Sequence, residues 1–141
     1  MHRTTSRRSK KSKGSTIVEL SFVFIVFFAI LIGIFDFGQF LFVHQALVER
    51  TRWAARAGVA GDYTGDQIKN LVVYGQTSAG TNGYFGLTTS MVTVNSYDAN
   101  TDMWRTEIKV SGYPYKMFSL YVGGSYTGPT ITIDIPRGLY N

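Results

Sequence analysis

The sequence has 141 residues, no cysteine and only two histidines, a length that favours one small domain with an appendage. These counts exclude disulfide scaffolds, thiolate zinc sites, iron–sulfur clusters, cysteine nucleophiles and a multi-histidine metal centre. Six of the fourteen basic residues, and none of the nine acidic ones, lie in residues 1–14. The net charge of +5 therefore describes a short tail and gives no support to nucleic-acid binding by a folded domain.

The first predicted element is an apolar helix. Leu20 to Phe35 is a run of 16 residues without a charge, flanked by Glu19 and Asp36. The two carboxylates are about 26 Å apart along a helix and can lie near opposite faces of a hydrocarbon core about 30 Å thick. We predict a transmembrane span at about residues 17–41, with Asp36 as a charge at the membrane edge. A buried core helix is the alternative, but the remaining chain is small for covering it.

The basic residues before the span predict its orientation. Lysine and arginine clusters stay on the cytoplasmic side, so the C-terminal part is expected outside, in the periplasm or beyond. A cleavable secretory signal peptide has the same basic and apolar regions. Its small-residue cleavage site appears only at Ala55–Ala57, about 20 residues beyond the apolar run, which disfavours that reading.

The most specific string in the chain is KGSTIVEL, residues 13–20. It resembles the processing site of type IV prepilins, in which a membrane aspartic peptidase cuts after glycine on the cytoplasmic side. The resemblance implies recognition through Lys13 and Glu19 and a cut between Gly14 and Ser15, which makes Glu19 the fifth mature residue. Glycine suits an extended peptide in a protease cleft because it has no side chain to clash. The chain departs from the usual pattern by carrying serine, and not phenylalanine, at position 15.

Glu19 has a physical reason to seek a partner. A charge in a membrane helix costs about 2.5–3.5 kcal/mol at the centre and less near the interface, and such residues are usually paired. The pilin resemblance implies that Glu19 pairs with the free α-amino group of Ser15 on a neighbouring subunit. The alternative is an interfacial glutamate that contacts water or lipid headgroups.

Helical periodicity continues beyond the span. Apolar side chains recur at steps of three, four or seven at Phe40, Val43, Leu47, Ala54 and Ala57. Polar side chains occupy the other face at Gln45, Glu49, Arg52 and Arg56, and Glu49 can pair with Arg52. The pattern predicts one helix from about Ile17 to Val59, ended by Gly58 or Gly61, with an amphipathic second half that covers an outer domain.

Three strings together resemble the TadE-like family of pseudopilins from tight-adherence (Tad/Flp) pilus systems: GSTIVEL, GIFDFG and AARAG, within Gly14 to Gly58. The resemblance implies a minor component of an adhesive pilus, processed by a prepilin peptidase. It implies single-pass insertion in the bacterial inner membrane, with assembly into an extracellular pilus. The expected partners are other pilin or pseudopilin subunits, the peptidase and the inner-membrane assembly platform.

Residues 60–141 predict a small extracytoplasmic domain. A capping box at Thr64 and Gln67 begins a short helix at about 65–74, with a strand that begins at Val72–Tyr74 as the equal alternative for its last residues. The glycine-rich residues 75–90 are predicted to be loop. Alternating segments at 91–95 and 104–110, joined by a turn at 98–102, predict a hairpin, and 130–135 predicts a strand ended by Pro136. Residues 113–115 are expected to break the hairpin, and glycines at 123–124 and 128 to bracket a loop. The fold class is α+β, a long helix packed on a small antiparallel sheet.

Catalytic and metal motifs are not evident. Asp98, Asn100 and Asp102 alternate like a calcium loop but lack its glycine and terminal glutamate, and His44 is expected to be an ordinary helix-surface residue. We predict no enzyme activity, catalytic residue, cofactor, metal or nucleic-acid partner. The predicted regions are a cleaved leader at 1–14, the long helix at 15–59 and the outer domain at 60–141. The alternatives are an uncleaved single-span anchor or partner-binding subunit of a secretion complex, and a surface-binding adhesin that uses exposed Tyr84 and Tyr126.

Overall fold

The computed structural model describes residues 13–61, 63–97, 105–117 and 125–136. Helix α1 spans Lys13–Ala60 and helix α2 spans Gly65–Tyr74; short 3-10 turns lie at Tyr84–Gly86 and Thr89–Met91. The strands are β1 Val92–Tyr97, β2 Arg105–Val110, β3 Pro114–Lys116, β4 Ser125–Thr127 and β5 Ile131–Pro136. The predicted α+β class, with a long N-terminal helix and a small antiparallel sheet, is confirmed.

Helix α1 is a single element of 48 residues, about 72 Å long. It ends one residue after the predicted Val59 and is followed by Gly61. Gly58 does not terminate it, contrary to one of the two predicted stops. Gly58 is buried inside the helix, where a Cβ would lie 2.7 Å from the Ile68 side chain. Its absent side chain lets α2 approach α1 closely.

Helix α2 has the predicted bounds and the predicted cap. The Thr64 side chain accepts a hydrogen bond from the Gln67 backbone N–H, and the Gln67 side chain accepts one from the Thr64 backbone N–H. At the other end, Gly75 adopts the left-handed conformation, with φ 78°, and its N–H donates to the Leu71 carbonyl. The buried face of α2 consists of Ile68, Leu71, Val72 and Val73.

The main sheet has three antiparallel strands in the order β1-β2-β5. Val92 pairs with Val110, and Val110 in turn pairs with Ile131. Burial alternates along β2, with Thr106, Ile108 and Val110 turned to the core. The three predicted strands are therefore present with shifts of one or two residues at their ends. The hairpin turn predicted at 98–102 lies outside the described residues.

A second sheet of two strands, β3 and β4, was not predicted. Residues 113–115 were expected to interrupt the structure and Gly128 to bracket a loop, whereas Pro114–Lys116 pairs antiparallel with Ser125–Thr127. Proline is tolerated because Pro114 is the first residue of a strand. Strands of three residues are too short to show alternation, which is why the sequence pattern missed them.

The core lies between the second half of α1, α2 and one face of the main sheet. From α1 it takes the predicted apolar face, with Val43, Leu47 and Ala54 buried and Phe40 and Ala57 partly buried. The predicted polar face, which includes Glu49, Arg52 and Arg56, is exposed. The rest of the buried apolar core is contributed by Ala55, Ile68, Leu71, Val72, Val73, Leu87, Val92, Ile108, Val110, Tyr113 and Ile131.

Candidate functional site

The predicted processing segment lies at the N-terminal end of α1 as described. Gly14, Ser15 and Glu19 are all exposed, and no atom outside the helix lies within 4 Å of a Cβ built on Gly14. Gly14 is the second residue of α1 as the described residues begin. The fold brings none of these three residues to the outer domain.

The following part of α1 is bare and apolar. Every residue from Gly14 to Ile30 is exposed, and none between 14 and 35 is buried. Within the described residues, one helix is long and apolar enough to cross a membrane, and none of its most apolar window of 18 residues is buried. A soluble core helix is mostly buried, so this exposure disfavours the alternative considered from the sequence.

Asp36, predicted as a charge at the membrane edge, is only 8% exposed. It lies in an apolar groove between α1 and the segment that begins at β3. The residues that line the groove with Asp36 include Gly33 and Phe40 from α1 and Tyr115 and Met117 from the outer domain. The carboxylate is therefore covered by protein at the level where the bare half of the helix meets the outer domain.

Aromatic rings collect at the same level. Phe40 contacts Tyr115 with a centroid distance of 5.0 Å, and Tyr115 stacks on Tyr126 at 5.6 Å. Phe42 meets Phe85 edge-to-face at 6.2 Å, and Phe85 meets Tyr84 at 4.7 Å. We call these six residues the aromatic edge: Phe40, Phe42, Tyr84, Phe85, Tyr115 and Tyr126. It combines α1, the first 3-10 turn and the β3–β4 sheet.

His44 is not the ordinary surface residue that the sequence suggested. Its Nδ1 lies 2.7 Å from the Tyr113 hydroxyl, and Tyr113 is fully buried. Burial of the phenol, with a smaller contribution from Tyr115, raises the pKa of Tyr113 above its usual value. The spacing of the sequence did indicate that His44 lies on the buried face of α1, because it is four residues after Phe40 and three before Leu47.

Arg50 also has a structural role that the sequence did not reveal. Its Nε donates to the Val72 carbonyl at 2.6 Å, and its guanidinium lies 4.4 Å from the centre of the Tyr84 ring. It ties α1 to α2 and to the aromatic edge. The predicted pair of Glu49 and Arg52 is present at 3.1 Å on the exposed face. Nothing in the spacing of the sequence marks a backbone carbonyl as the partner of Arg50.

Ligand chemistry is sparse in the described residues. Among residues 13–61, 63–97, 105–117 and 125–136, no group of three or more histidine or acidic side chains could hold a metal ion. The calcium-like string Asp98, Asn100 and Asp102 lies outside those ranges. Of the two tyrosines considered for adhesion, Tyr84 is 49% exposed and Tyr126 is partly buried, and both belong to the aromatic edge.

A protein-family model matches the N-terminal part of the chain. The family model described as TadE-like protein matches residues 14–56, a segment that begins at the predicted cleavage glycine and ends near the C-terminus of α1. The predicted resemblance is thereby confirmed over that segment. Members of this family are structural components of pili, and the family is not a known family of enzymes. No curated protein and no solved structure matches the chain significantly.

Proposed function

We propose that this chain, whose residues 14–56 match the TadE-like family, is a minor pilin that takes part in assembly of, and adhesion by, a tight-adherence pilus. The observation that carries the proposal is that three features coincide at the start of α1. The family match begins at Gly14, the prepilin-like motif is KGSTIVEL, and the bare apolar half of the helix follows directly. A structural subunit needs no catalytic centre, and the site residues are those of processing and packing.

The bare half of α1 anchors the precursor in the inner membrane as a single span, at about residues 17–41. The basic leader of residues 1–14 remains in the cytoplasm and the outer domain of residues 60–141 lies in the periplasm. Exposure of every residue from 14 to 30 supports this placement, because a side chain that faces lipid gains nothing by packing on its own domain. The same surface becomes available to the helices of other pilin subunits when the subunit joins a pilus on the assembly platform.

Prepilin peptidase cuts between Gly14 and Ser15, with Lys13 and Glu19 forming part of the recognised sequence. The cut creates a new α-amino group at Ser15. Glu19 is exposed and one helical turn away, so it is available to pair with the amine of a neighbouring subunit in a low-dielectric surrounding. A charge pair there offsets the cost of placing either group in an apolar assembly and fixes the axial register between subunits.

The experiment that tests processing is the N-terminal sequence and intact mass of the protein, made with and without a prepilin peptidase. We expect a new N-terminus at Ser15 that depends on the peptidase. Gly14→Leu should abolish the cut, because a large side chain fills the cleft beside the scissile bond, whereas Ser15→Ala should still be cut. An uncut chain in the presence of an active peptidase would refute processing and favour the uncleaved single-span anchor or secretion-complex subunit.

Assembly is tested separately through Glu19. Because Glu19 also belongs to the recognised sequence, Glu19→Ala should slow the cut, so assembly is scored only on chains that have been cut at Ser15. That cut fraction should remain inserted in the membrane but should not co-purify with other pilin subunits. Glu49→Ala is the matched control, since Glu49 is an exposed glutamate on the same helix with a single surface partner, and it should assemble normally. Equal assembly of both variants would show that Glu19 is only an interfacial charge in contact with water or headgroups.

A further inference from the structure

The proposed span has a calculable outer boundary. A hydrocarbon core about 30 Å thick requires about 20 helical residues. Counted from Leu20, the first residue after Glu19, the core ends at Gln39. Phe40 and Phe42 of the aromatic edge therefore lie at the level where acyl chains give way to headgroups.

The outer domain reaches down to that level with rings from two separate segments. Tyr115 contacts Phe40, and Phe85 contacts Phe42. Phe40 and Phe42 are about 200° apart around the helix. The outer domain therefore contacts α1 on two different sides. Of these rings Phe42 is 66% exposed, and Phe40, Phe85 and Tyr115 are partly buried. Tyrosine is enriched at membrane interfaces because its ring is apolar and its hydroxyl is wet.

Phe85 is held in this position against a backbone cost. It has φ 52° and ψ 30° and is the one non-glycine residue with positive φ in the described part of the chain. That conformation is unfavourable for a residue with a side chain and persists where the surroundings enforce it. Here the Phe85 ring meets Phe42, while Tyr84 next to it faces Arg50 and Trp53, farther along the helix.

The groove around Asp36 shows that the outer domain extends below Phe40. Asp36 is one turn inside the calculated boundary, and Tyr115 and Met117 line the groove that contains it. A carboxylate at this depth is unfavourable in contact with lipid, and burial at 8% exposure separates it from lipid. The segment from Tyr115 to Met117 therefore lies at or below the headgroup boundary.

We propose that the aromatic edge is a membrane-docking surface that seats the outer domain on the periplasmic leaflet, with the boundary between headgroups and acyl chains as its ligand. This rests on the proposed function, because it requires α1 to span the bilayer. Continuity of the edge with the bare half of α1, and its coincidence with the end of a 30 Å core, favour lipid over a second copy of the chain. Lys116 is exposed next to Tyr115 and can extend its ammonium to lipid phosphates.

Single-tryptophan proteins measure the docking directly. In a Trp53→Phe, Trp104→Phe background, tryptophan is placed at Phe42, Phe85 or Tyr115, and at Phe28 as the reference inside the span. Native Trp53, kept alone by Trp104→Phe, is the reference outside, since it is 47% exposed and about 16 Å beyond Phe42 along the helix. Full-length proteins are reconstituted in vesicles of phosphatidylcholine and phosphatidylglycerol, in which phosphatidylcholine is brominated near the headgroup end or at the tail end of the chains.

We expect headgroup-end bromine to quench tryptophan at positions 42, 85 and 115 several-fold more than Trp53, and tail-end bromine to quench position 28 best.

Quenching at 85 and 115 no stronger than at Trp53, with position 28 quenched, would overturn the docking surface and leave the anchor intact. Loss of quenching at position 28 as well would overturn the membrane assignment itself. If quenching at 42, 85 and 115 appears only after dilution into excess lipid, a second copy occupies the edge and the proposal fails. Lys116 is exposed beside Tyr115, so tryptophan at Lys116 keeps a reading from the outer domain where the variants at 85 and 115 disturb folding.

Discussion

The two halves of helix α1 differ in their surroundings although no break separates them. Residues 14–30 are all exposed, while Val43, Leu47, Thr51, Ala54 and Ala55 are buried under α2 and the sheet. The first half is apolar all round, whereas the second half is apolar on one face and charged on the other. A helix that is apolar all round requires burial or a membrane, and an amphipathic helix requires only one packed face.

Side-chain size contributes to the difference as much as polarity. The first half carries large side chains such as Phe24, Ile25 and Phe28, which stand away from the helix. The packed face of the second half ends in Ala54, Ala55 and Gly58, which allow α2 to lie close against the helix. One continuous helix thus joins a segment whose partner lies outside the chain to a segment whose partner lies within it.

The largest expected contrast between the two halves comes from removing one aliphatic side chain from each. Leu47→Ala should lower the free energy of unfolding of the outer domain by about 2–5 kcal/mol, because Leu47 is 1% exposed and its loss leaves a cavity. Ile25→Ala, at a position 67% exposed, should leave it unchanged. Urea unfolding of the full chain in detergent, followed by near-ultraviolet circular dichroism, measures both. A similar loss in both variants would show that the bare half packs on the outer domain.

Glycine-to-alanine changes sharpen the comparison within the same helix. Gly58→Ala should destabilise the outer domain by about 1–2 kcal/mol, because the new Cβ meets two carbons of buried Ile68 at 2.7 Å and overpacking outweighs alanine's better helix propensity. Gly38→Ala has no atom within 4 Å of its Cβ and should cause no loss. The same unfolding measurement tests both variants. Destabilisation by Gly38→Ala would reveal a contact at that position that the fold of a single chain does not contain.

Long periodic segments were predictable from the sequence because each carries its signal locally. The bounds of α1 came within a few residues, α2 was placed at its observed residues, and the face of α1 that includes Leu47 was identified. These elements depend on spacing, capping and the end of an apolar run, all of which are properties of neighbouring residues. The family resemblance also rests on α1, and the match to residues 14–56 confirms it there.

The residues that the sequence could not place depend on partners distant along the chain. The pairing of β3 with β4 and the contact of Arg50 with the Val72 carbonyl have no local pattern. Asp36 was expected at a membrane edge on the basis of its separation from Glu19, but its burial beside Tyr115 depends on a strand about 80 residues later. The role of Gly14 and Ser15 in processing rests on a sequence motif, and no contact described in the fold tests it. That role therefore stays a prediction.

The smallest expected loss of stability comes from removing the hydrogen bond between His44 and Tyr113, which lies at the junction between the two halves. Tyr113→Phe keeps the ring in the core but removes the hydroxyl that lies 2.7 Å from His44 Nδ1. It should lower the free energy of unfolding near neutral pH by about 0.5–1.5 kcal/mol. Tyr84→Phe is the control, since Tyr84 is half exposed and its contact with Arg50 uses the ring face. Equal effects in both variants would contradict a specific role for the buried hydroxyl.

Measurements at alkaline pH distinguish the contribution of the Tyr113 hydroxyl to stability from the contribution of ring packing. Burial raises the pKa of Tyr113 in the folded chain, so above about pH 10 the unfolded chain loses the phenolic proton more readily than the folded chain. The unfolded state then binds fewer protons, and stability falls as pH rises through this range. Tyr113→Phe should flatten that fall, so the difference in urea midpoint between the variant and the parent should shrink as pH rises. A constant difference across the range would show that the Tyr113 hydroxyl ionises equally in both states, and would contradict the raised pKa in the folded chain.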